Sequence, residues 1–548
     1  MSMKRSGWDD ASSFQLLSLI KECQSLRDAK HVHTHLISSP SLSNSNRHLL
    51  LTRLLFRCAL SEWACPAYAG RLFRSIPTPD LYAYNVMIRA SASRRGDDDD
   101  AFKLYKRMTF HGITPDFISF PFVFKKCAGG TGTAPAHLGR SLHAQAITFG
   151  VTPHIYTSNS LITFYASHGF SVDALRVFDE MPHRDVVSWN SIIIGCLRCG
   201  GLDRALALFR QMTYPKNIIT WNSIIIGFVQ GGKAKEALDL FHEMQSGDND
   251  SDVVRPDNIT FANVITACAT VGAIDHGRWV HTYLKKSDVL CDCVIQTALV
   301  DMYGKCGCLD TAVEVFRNMC KKDIFAWTAM ISVFALHGRS EEAFDLFDEM
   351  ISLGVKPNQV TFVALLSACA HSGLIDKGRL YFHAMSPVYS LEPQAQHYAC
   401  MVDMLSRSGK FEEVQVLIKG MPMPPDAFVL GAILGGCQMH RNVKLGAKVA
   451  QLLIDLEPLN HVFYVNLIDI YAKASRHEDV KRIRNLMNER GIRKEIAGCS
   501  MVEIDGIVYE FSISGSPDVK LKELIQVLDV LYSEFRNTRI NTQEAAEK

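Results

Sequence analysis

The sequence predicts an all-α protein in which helix-turn-helix repeats stack into an α-solenoid, and three recurring features predict it. A nine-residue amphipathic block returns along most of the 548 residues, a second helical segment precedes each copy, and a proline followed by Asp or Asn closes several copies. A chain of this length exceeds one compact core, and neither helix of such a unit buries its apolar face alone. The units are therefore expected to share one continuous core.

The nine-residue block is the second helix of each predicted unit. Alanine, two aliphatic or aromatic residues and a final methionine recur in it at helical spacing, so the helix has one apolar face. The copies lie at 100–108, 173–181, 204–212, 236–244, 311–319 and 342–350. The first helix of each unit is indicated by segments such as WNSII, which occurs at 189–193 and again at 221–225.

Glycines and prolines mark the ends of these helices. A helix C-terminus that leads into a tight turn requires a left-handed residue, and glycine adopts that conformation without strain. The glycines expected in this role are Gly200, Gly232, Gly307, Gly338, Gly373 and Gly409. The closing pairs are Pro115-Asp116, Pro256-Asp257, Pro357-Asn358 and Pro425-Asp426.

Composition and charge exclude several classes of protein. Hydrophobic residues make up 47% of the chain and charged residues 21%, which excludes a disordered or fibrous protein. The 58 Lys and Arg residues balance 57 Asp and Glu residues. Proteins that bind nucleic acid mainly through phosphates carry a large basic excess, so any such binding here should depend on base contacts or on local basic stripes.

The sixteen cysteines lie mostly in helical patterns, as at 266–270 and 367–371, and are predicted to be buried, reduced thiols. No run of 18 apolar residues occurs, so neither a membrane span nor a membrane partner is expected. Residues 1–12 hold two basic residues followed by Asp9 and Asp10, which gives only a short match to a transit peptide.

Longer strings in the units resemble the pentatricopeptide repeat (PPR) family. Three strings resemble motifs of its plant PLS subclass, in which units of different length alternate. They are CATVGAIDHGRWVH at 268–281, CAHSGLIDKGRLYF at 369–382 and DMYGKCGCLDTA at 301–312. The resemblance implies a right-handed superhelix of about twelve units over 13–426, after a short N-terminal segment, 1–12. The units are 13–47, 48–80, 81–116, 117–154, 155–185, 186–217, 218–257, 258–292, 293–323, 324–358, 359–394 and 395–426.

The tail resembles the C-terminal motifs of RNA-editing factors in this family. Residues 427–494 resemble its two E motifs, which form helical pairs like the repeats, and 495–535 resembles its extended-E region. Apolar and polar residues alternate on both sides of Asp505-Gly506, which predicts a small β-hairpin. A helical extension and a disordered tail at 536–548 are expected after it, without the family's DYW deaminase domain.

In this family the fifth residue of a unit and its last residue together select one RNA base. We call them the reading residue and the closing residue. Two side chains per base are an established mode of recognition by repeat proteins, and Asn, Thr and Asp supply suitable donors and acceptors. The pairs at these positions are Thr52/Asp80, Asn85/Asp116, Asn159/Asp185, Asn190/Asn217, Asn222/Asp257, Thr297/Asp323 and Thr328/Asn358.

The resemblance translates these pairs into a target sequence. Asn/Asp implies U, Asn/Asn implies C or U, Thr/Asp implies G and Thr/Asn implies A, so the target is 5′-G-U-N-U-Y-U-N-G-A-N-N. Val187 and Ile219, three residues before a reading residue, are expected to wedge between bases. The alternative for each pair is that its residues have a structural role alone. An Asn near the start of a helix is often only a helix cap, and a Pro-Asp pair is often only part of a turn. The pairs that select no base are Leu17/Arg47, Pro121/His154, Ala262/Asp292, Val363/Gln394 and Ala399/Asp426.

The chain is not expected to be an enzyme. The zinc deaminase of longer family members needs H-x-E and P-C-x-x-C, and none of the twenty histidines begins an H-x-E. Cys196 and Cys199 form a C-x-x-C inside a repeat helix, where packing is a better explanation than the four ligands of a structural metal site. No catalytic residue, metal ligand, cofactor or small-molecule substrate is therefore predicted.

The resemblance implies a site-recognition factor for organellar C-to-U RNA editing. Its partners would be single-stranded organellar RNA, a DYW-type cytidine deaminase supplied in trans and other editing factors. The mitochondrion is the expected compartment and the chloroplast the alternative. Two other hypotheses remain: a protein-binding helical-repeat scaffold, and an RNA-binding factor for organellar splicing or transcript stabilisation.

Overall fold

The computed structural model describes residues 13–39, 42–93, 100–130, 133–246, 254–287, 289–492, 499–504 and 507–512. In these ranges the chain forms consecutive pairs of α-helices and one C-terminal pair of strands. The predicted all-α solenoid is confirmed. The N-terminal segment 1–12, the Asp505-Gly506 turn and residues 513–548, which include the predicted tail, lie outside the described residues.

The chain divides into two compact units, Met1–Arg255 and Pro256–Lys548. The helices of the first are α1 Ser13–Glu22, α2 Leu26–Ser38, α3 Asn44–Leu60, α4 Pro66–Ser75, α5 Leu81–Ala92, α6 Asp100–Phe110, α7 Ser119–Gly129, α8 Thr133–Thr148, α9 Ile155–Ser167, α10 Ser171–Glu180, α11 Val186–Arg198, α12 Leu202–Gln211, α13 Ile218–Gln230 and α14 Ala234–Gln245.

The second compact unit continues the same pattern. Its helices are α15 Asn258–Val271, α16 Ile274–Lys286, α17 Cys293–Lys305, α18 Leu309–Arg317, α19 Ile324–Leu336, α20 Ser340–Ser352, α21 Gln359–Ser372, α22 Ile375–Tyr389, α23 Ala395–Arg407, α24 Phe411–Lys419, α25 Ala427–Met439, α26 Val443–Leu456, α27 His461–Lys473 and α28 His477–Glu489. Strands β1 Cys499–Ile504 and β2 Ile507–Ser512 pair antiparallel, with Ile504 opposite Ile507, as the alternating pattern predicts.

The turns form as the glycines predict. All six glycines named for this role have positive φ angles, from 69° at Gly338 to 84° at Gly307. An L-residue with a side chain is strained in this region, whereas glycine is not. The second helix of each pair can therefore fold back directly onto the first.

Two kinds of contact bury the core within each compact unit. First helices of successive pairs lie side by side, for example α9 with α11 and α17 with α19. A second helix meets the next first helix through an edge-to-face aromatic contact, which is a favoured ring geometry. The contacts are Phe73–Tyr84, Phe178–Trp189, Phe209–Trp221, Phe316–Trp327 and Phe382–Tyr398.

The prediction that the cysteines are buried is confirmed for seven of the fifteen whose side chains are described. All are free thiols, and burial raises the pKa of Cys58, Cys127 and Cys369 to about 12. These three act as small apolar side chains. Six others are only partly buried. The prediction of burial is wrong for Cys291 and Cys320, which are exposed because they lie in the segments after α16 and α18 rather than on a helix face.

Close packing of first helices requires glycine at one position of α17. A methyl group at Gly304 would lie 2.2 Å from Val333 Cγ2 of α19. Gly304→Ala should lower the free energy of unfolding by about 1–3 kcal/mol, because the neighbouring helices would have to separate. Chemical denaturation measures the change.

Gly435 of α25 is the matched control, because an added methyl group there meets no atom within 4 Å. Gly435→Ala should raise stability by about 0.5–1 kcal/mol, since it only removes the conformational freedom of a helical glycine. Equal destabilisation by both variants would contradict the packing argument.

Half-buried histidines make the stability of the fold depend on pH. His143 and His281 lie on second helices, and their Nδ1 atoms lie 2.7 Å and 2.9 Å from the hydroxyl oxygens of Tyr165 and Tyr303 on the next first helices. Burial lowers the pKa of both imidazoles from 6.5; nearby carboxylates oppose the shift at both, and Lys285 adds to it at His281. The unfolded chain then binds more protons than the folded chain below neutral pH.

The stability that these two neutral histidines allow should therefore be fully present above the unfolded pKa of about 6.5. The free energy of unfolding should decrease as the pH falls below that value. The thermal midpoint is expected to be lower at pH 5 than at pH 7.5. In the double variant His143→Gln, His281→Gln this dependence should weaken, because glutamine can hydrogen-bond the tyrosine without titrating. If the double variant keeps the pH dependence of the wild-type protein, groups other than His143 and His281 cause that dependence.

Candidate nucleic-acid interface

Six of the seven closing residues of the reading pairs are the N-caps of the first helices that follow, whereas Asp116 lies two residues before Ile118, the N-cap of α7. In each reading pair, the Oδ1 atom of the closing residue accepts a hydrogen bond from the backbone N–H of the residue three positions later, as N-caps do. The donors and distances are Ala83 to Asp80 2.8 Å, Ser119 to Asp116 2.9 Å, Ser188 to Asp185 2.7 Å, Thr220 to Asn217 3.0 Å, Thr260 to Asp257 2.9 Å, Ala326 to Asp323 2.9 Å and Thr361 to Asn358 2.9 Å.

The closing residues therefore bond to the backbone at the start of the following helices. This role does not compete with recognition, because the cap bond occupies only one of the two polar atoms that end each side chain. An Asp retains Oδ2, which can only accept, and an Asn retains Nδ2, which can only donate. A closing residue can thus hold the repeat together and still present a polar atom.

The structure brings two of the predicted pairs into direct contact. Asn85 Nδ2 of α5 donates to Asp116 Oδ1 at 3.1 Å, and Asn190 Nδ2 of α11 lies 3.5 Å from Asn217 Oδ1. Both asparagines are 7% exposed, so little of either residue reaches the surface. The fifth residue of one unit and its last residue, distant in sequence, form one polar cluster.

A third residue joins these clusters, and it was not predicted from the sequence. Ser119 Oγ lies 2.7 Å from Asn85 Oδ1, and Thr220 Oγ1 lies 2.7 Å from Asn190 Oδ1. At a third cluster the hydroxyls of Thr328 and Thr361 are 2.8 Å apart, and Thr361 donates to Asn358 at 3.0 Å. The available signal was a Ser or Thr three residues after the closing residue.

Three pairs are not brought into hydrogen-bond contact. Thr52 and Thr297 donate instead to the carbonyl oxygens of His48 and Cys293 in their own helices. Ala83 and Ala326 occupy the positions equivalent to Thr361, so no hydroxyl is available there to contact Thr52 or Thr297. The amide oxygen of Asn159 is buried without a partner, although Asp185 caps α11 nearby.

The remaining pair divides between the two compact units. Asn222 is buried on α13 of the first unit, and Asp257 caps α15 of the second.

At two closing residues the carboxylate oxygen that does not make the cap bond, Oδ2, also has a partner. Asp80 Oδ2 lies 3.4 Å from His48 Nε2, and Asp292 Oδ2 accepts from Asn258 at 2.9 Å.

Apolar side chains emerge beside the reading residues. Val187 and Ile219 are each 57% exposed, and each precedes its reading residue by three positions, which places the two on one side of the helix. Other units expose an apolar residue at the same position. These residues are Tyr82, Tyr156, Ile259, Val294, Phe325 and Val360.

The cysteines of the C-x-x-C pattern serve the helix packing. Cys196 is buried, and Cys199 Sγ lies 3.6 Å from the carbonyl oxygen of Ala166 in a neighbouring helix.

Within the described ranges no group of three or more His, Cys, Asp or Glu side chains could hold a metal ion. None of the described helices is long and apolar enough to cross a membrane.

Comparison with protein families identifies the repeats. Models described as PPR repeat, PPR repeat family and pentatricopeptide repeat domain match residues 78–130, 156–186, 187–214, 216–270, 297–324, 322–371 and 360–386. A pentatricopeptide repeat-containing protein of Arabidopsis thaliana, named as chloroplastic/mitochondrial, is 35% identical over 95% of this chain and 77% of its own length. The chain belongs to the pentatricopeptide repeat family. The PPR repeat is a helical module and not a catalytic domain.

Further comparisons agree with this PPR assignment. Another Arabidopsis thaliana member, named as mitochondrial, is 38% identical over 97% of this chain and 92% of its own length. The crystal structure of PPR10 from maize matches 89% of this chain and 84% of its own with a TM-score of 0.51 at 17% identity, which supports the fold. A model of the E motif matches residues 440–503, within and just beyond the predicted E region.

Proposed function

We propose that this PPR protein binds single-stranded RNA base by base and selects sites for C-to-U editing in an organelle. The observation that carries the proposal is the contact of Asn85 with Asp116 and of Asn190 with Asn217. In both, polar groups from two ends of one unit meet at a partly accessible point. Repetition of this arrangement would present such points at one-unit intervals, as required to read successive bases.

The chemistry of the asparagine amide suits a pyrimidine. An amide has two N–H donors and two acceptor lone pairs on its oxygen. At Asn85, one donor is directed to Asp116 and one lone pair to Ser119. One donor and one acceptor remain, and they match the adjacent acceptor and donor groups on the Watson–Crick edge of U or C.

The closing residue then distinguishes U from C. Uracil has an N–H donor at N3, where cytosine has an acceptor. The cap bond leaves an acceptor, Oδ2, on Asp116 but a donor, Nδ2, on Asn217. Asp116 should therefore favour U in unit 81–116, and Asn217 should admit C in unit 186–217.

The proposed target remains 5′-G-U-N-U-Y-U-N-G-A-N-N, in which the threonine units and the pairs Asn159/Asp185 and Asn222/Asp257 rest on the family resemblance. Val187 and Ile219 would separate neighbouring bases, because their exposed apolar surfaces can pack against base faces. Near-neutral net charge, with 58 basic and 57 acidic residues, favours recognition through bases over recognition through phosphates.

The E motif supports editing over the other RNA-binding roles. Its match at 440–503 follows the repeats directly. We propose that residues 427–494 and the extended-E region recruit a DYW-type cytidine deaminase in trans, with other editing factors, to a cytidine a few nucleotides downstream of the bound RNA. The names of relatives place them in chloroplasts or mitochondria, and we propose the mitochondrion for this chain.

Base selection is tested by exchanging one closing residue. The wild-type protein should bind an RNA containing GUNUYUNGA more tightly than a scrambled RNA of equal composition. Asp116→Asn should shift the preference of unit 81–116 from U towards C by about 1–3 kcal/mol, the range for contacts to base edges. Asn and Asp cap helices about equally well, so the fold should not change. Fluorescence anisotropy with four RNAs that differ at this base measures the shift.

Asp426→Asn is the matched control. Asp426 caps α25 by the same bond, but its unit has Ala399 at the reading position. This exchange should leave every base preference unchanged. Equal, weak binding of wild-type protein to designed and scrambled RNA would support the protein-binding scaffold instead.

The editing role has a separate readout in the organism. Disruption of the gene should leave one or a few organellar cytidines unedited, each a few nucleotides downstream of a match to GUNUYUNGA. Sequencing of organellar cDNA from mutant and wild-type plants detects the change. Complete editing with an unspliced or missing transcript would instead support splicing or transcript stabilisation.

A further inference from the structure

Two hydroxyl groups outside the reading pairs contact the reading amides. Ser119 and Thr220 each occupy the third position of the following unit, and each places its hydroxyl oxygen 2.7 Å from an asparagine carbonyl oxygen. We propose that Ser119 and Thr220 are positioning residues that fix the orientation of the Asn85 and Asn190 amides and thereby set base selectivity. This inference rests on the proposed base-reading function.

The orientation of an amide decides what it offers to a base. The nitrogen and oxygen of an Asn side chain are similar in size, and a half-turn about its last bond exchanges donor and acceptor. An amide that adopts both orientations presents its N–H donor in one and its oxygen acceptor in the other at the same position next to the base. It can then accept several bases with similar affinity, so selection requires that one orientation be held.

At Asn85 two neighbours hold the same orientation. Asp116 Oδ1 is a pure acceptor, and it receives the Asn85 Nδ2 donor as well as the backbone N–H groups of Ile118 and Ser119. The Ser119 hydroxyl lies within hydrogen-bond distance of both Asp116 and Asn85. Because Asp116 Oδ1 already has three donors, the hydroxyl proton is better placed on the Asn85 carbonyl oxygen.

At Asn190 the Thr220 hydroxyl is the shortest contact of the amide. This hydroxyl also lies 2.9 Å from Asn217 Oδ1, but that oxygen already accepts the Thr220 backbone N–H, so the hydroxyl proton is better placed on Asn190. The closing residue is Asn217, which has no charge, and its Oδ1 lies 3.5 Å from Asn190 Nδ2, the outer limit of a hydrogen bond. Thr220 Oγ1 is 2.7 Å from Asn190 Oδ1. Loss of this hydroxyl should therefore affect unit 186–217 more than loss of Ser119 affects unit 81–116.

The chain contains a matched control for loss of the hydroxyl. Asn159, Asp185 and Ser188 repeat the residue types of Asn85, Asp116 and Ser119. Ser188 donates to Asp185 at 2.8 Å and completes the same reciprocal cap, but the Asn159 carbonyl oxygen has no hydrogen-bond partner. Ser188→Ala removes the same cap without removing a contact to a reading amide.

The experiment measures base preference for full-length Ser119→Ala, Thr220→Val and Ser188→Ala proteins. Each is titrated with RNAs that differ only at the base opposite the unit concerned. Ser119→Ala should reduce the U-over-C affinity ratio of unit 81–116 roughly three- to tenfold, as expected for one hydrogen bond. Thr220→Val should reduce the pyrimidine-over-purine ratio of unit 186–217 by a larger factor. The ratio of unit 155–185 should not change in Ser188→Ala.

Conservative exchanges complete the test. Ser119→Thr and Thr220→Ser retain the hydroxyl and should keep the wild-type ratios, even if an alanine or valine variant fails to fold. Wild-type ratios in Ser119→Ala and Thr220→Val would overturn the inference and leave base reading intact. A reduction of the same size in Ser188→Ala would assign the effect to capping and also overturn it. If the wild-type protein shows no preference at these bases, the proposed reading function fails together with this inference.

Discussion

The hydrogen bond from a closing residue to the next first helix is the constraint on which the rest of the structure depends. In six of the seven reading pairs the closing residue is the N-cap of the next first helix, so this bond fixes where that helix begins and where its fifth-position residue lies about one turn later. It also fixes the closing side chain itself, because Asp116 or Asn217 must direct Oδ1 at the backbone of α7 or α13. The proposed recognition groups are thus positioned by the same bond that starts each helix.

This dual role explains why closing residues can vary without loss of the fold. Asp and Asn are among the best N-cap residues and differ little in capping strength. They differ in the atom that remains after capping, which accepts in Asp and donates in Asn. A repeat protein can therefore change a proposed base preference by exchanging Asp for Asn, while a change to an apolar residue would weaken the following helix.

Each first helix contributes some of its side chains to the core and exposes others at the surface. Trp189 and Ile193 of α11 are buried against neighbouring helices, whereas Val187 of the same helix is exposed. Exposed apolar residues of this kind cost solubility unless a partner covers them. Their recurrence next to the reading residues, in a chain with almost no net charge, is consistent with a ligand that offers flat apolar faces and polar edges.

The solenoid, the helix pairs, the turn glycines and the C-terminal hairpin could be predicted from the sequence, because local periodicity and turn chemistry decide these features. The residues of the reading pairs could be predicted from their regular recurrence. Which pairs meet depends on the packing of the helices: Asn85 contacts Asp116, Thr52 bonds within its own helix, and Asn159 is left without a partner at its amide oxygen. The contacts of Ser119 with Asn85 and of Thr220 with Asn190 could not be predicted from the sequence, because they join residues about one repeat apart and the packing of neighbouring first helices sets the distances.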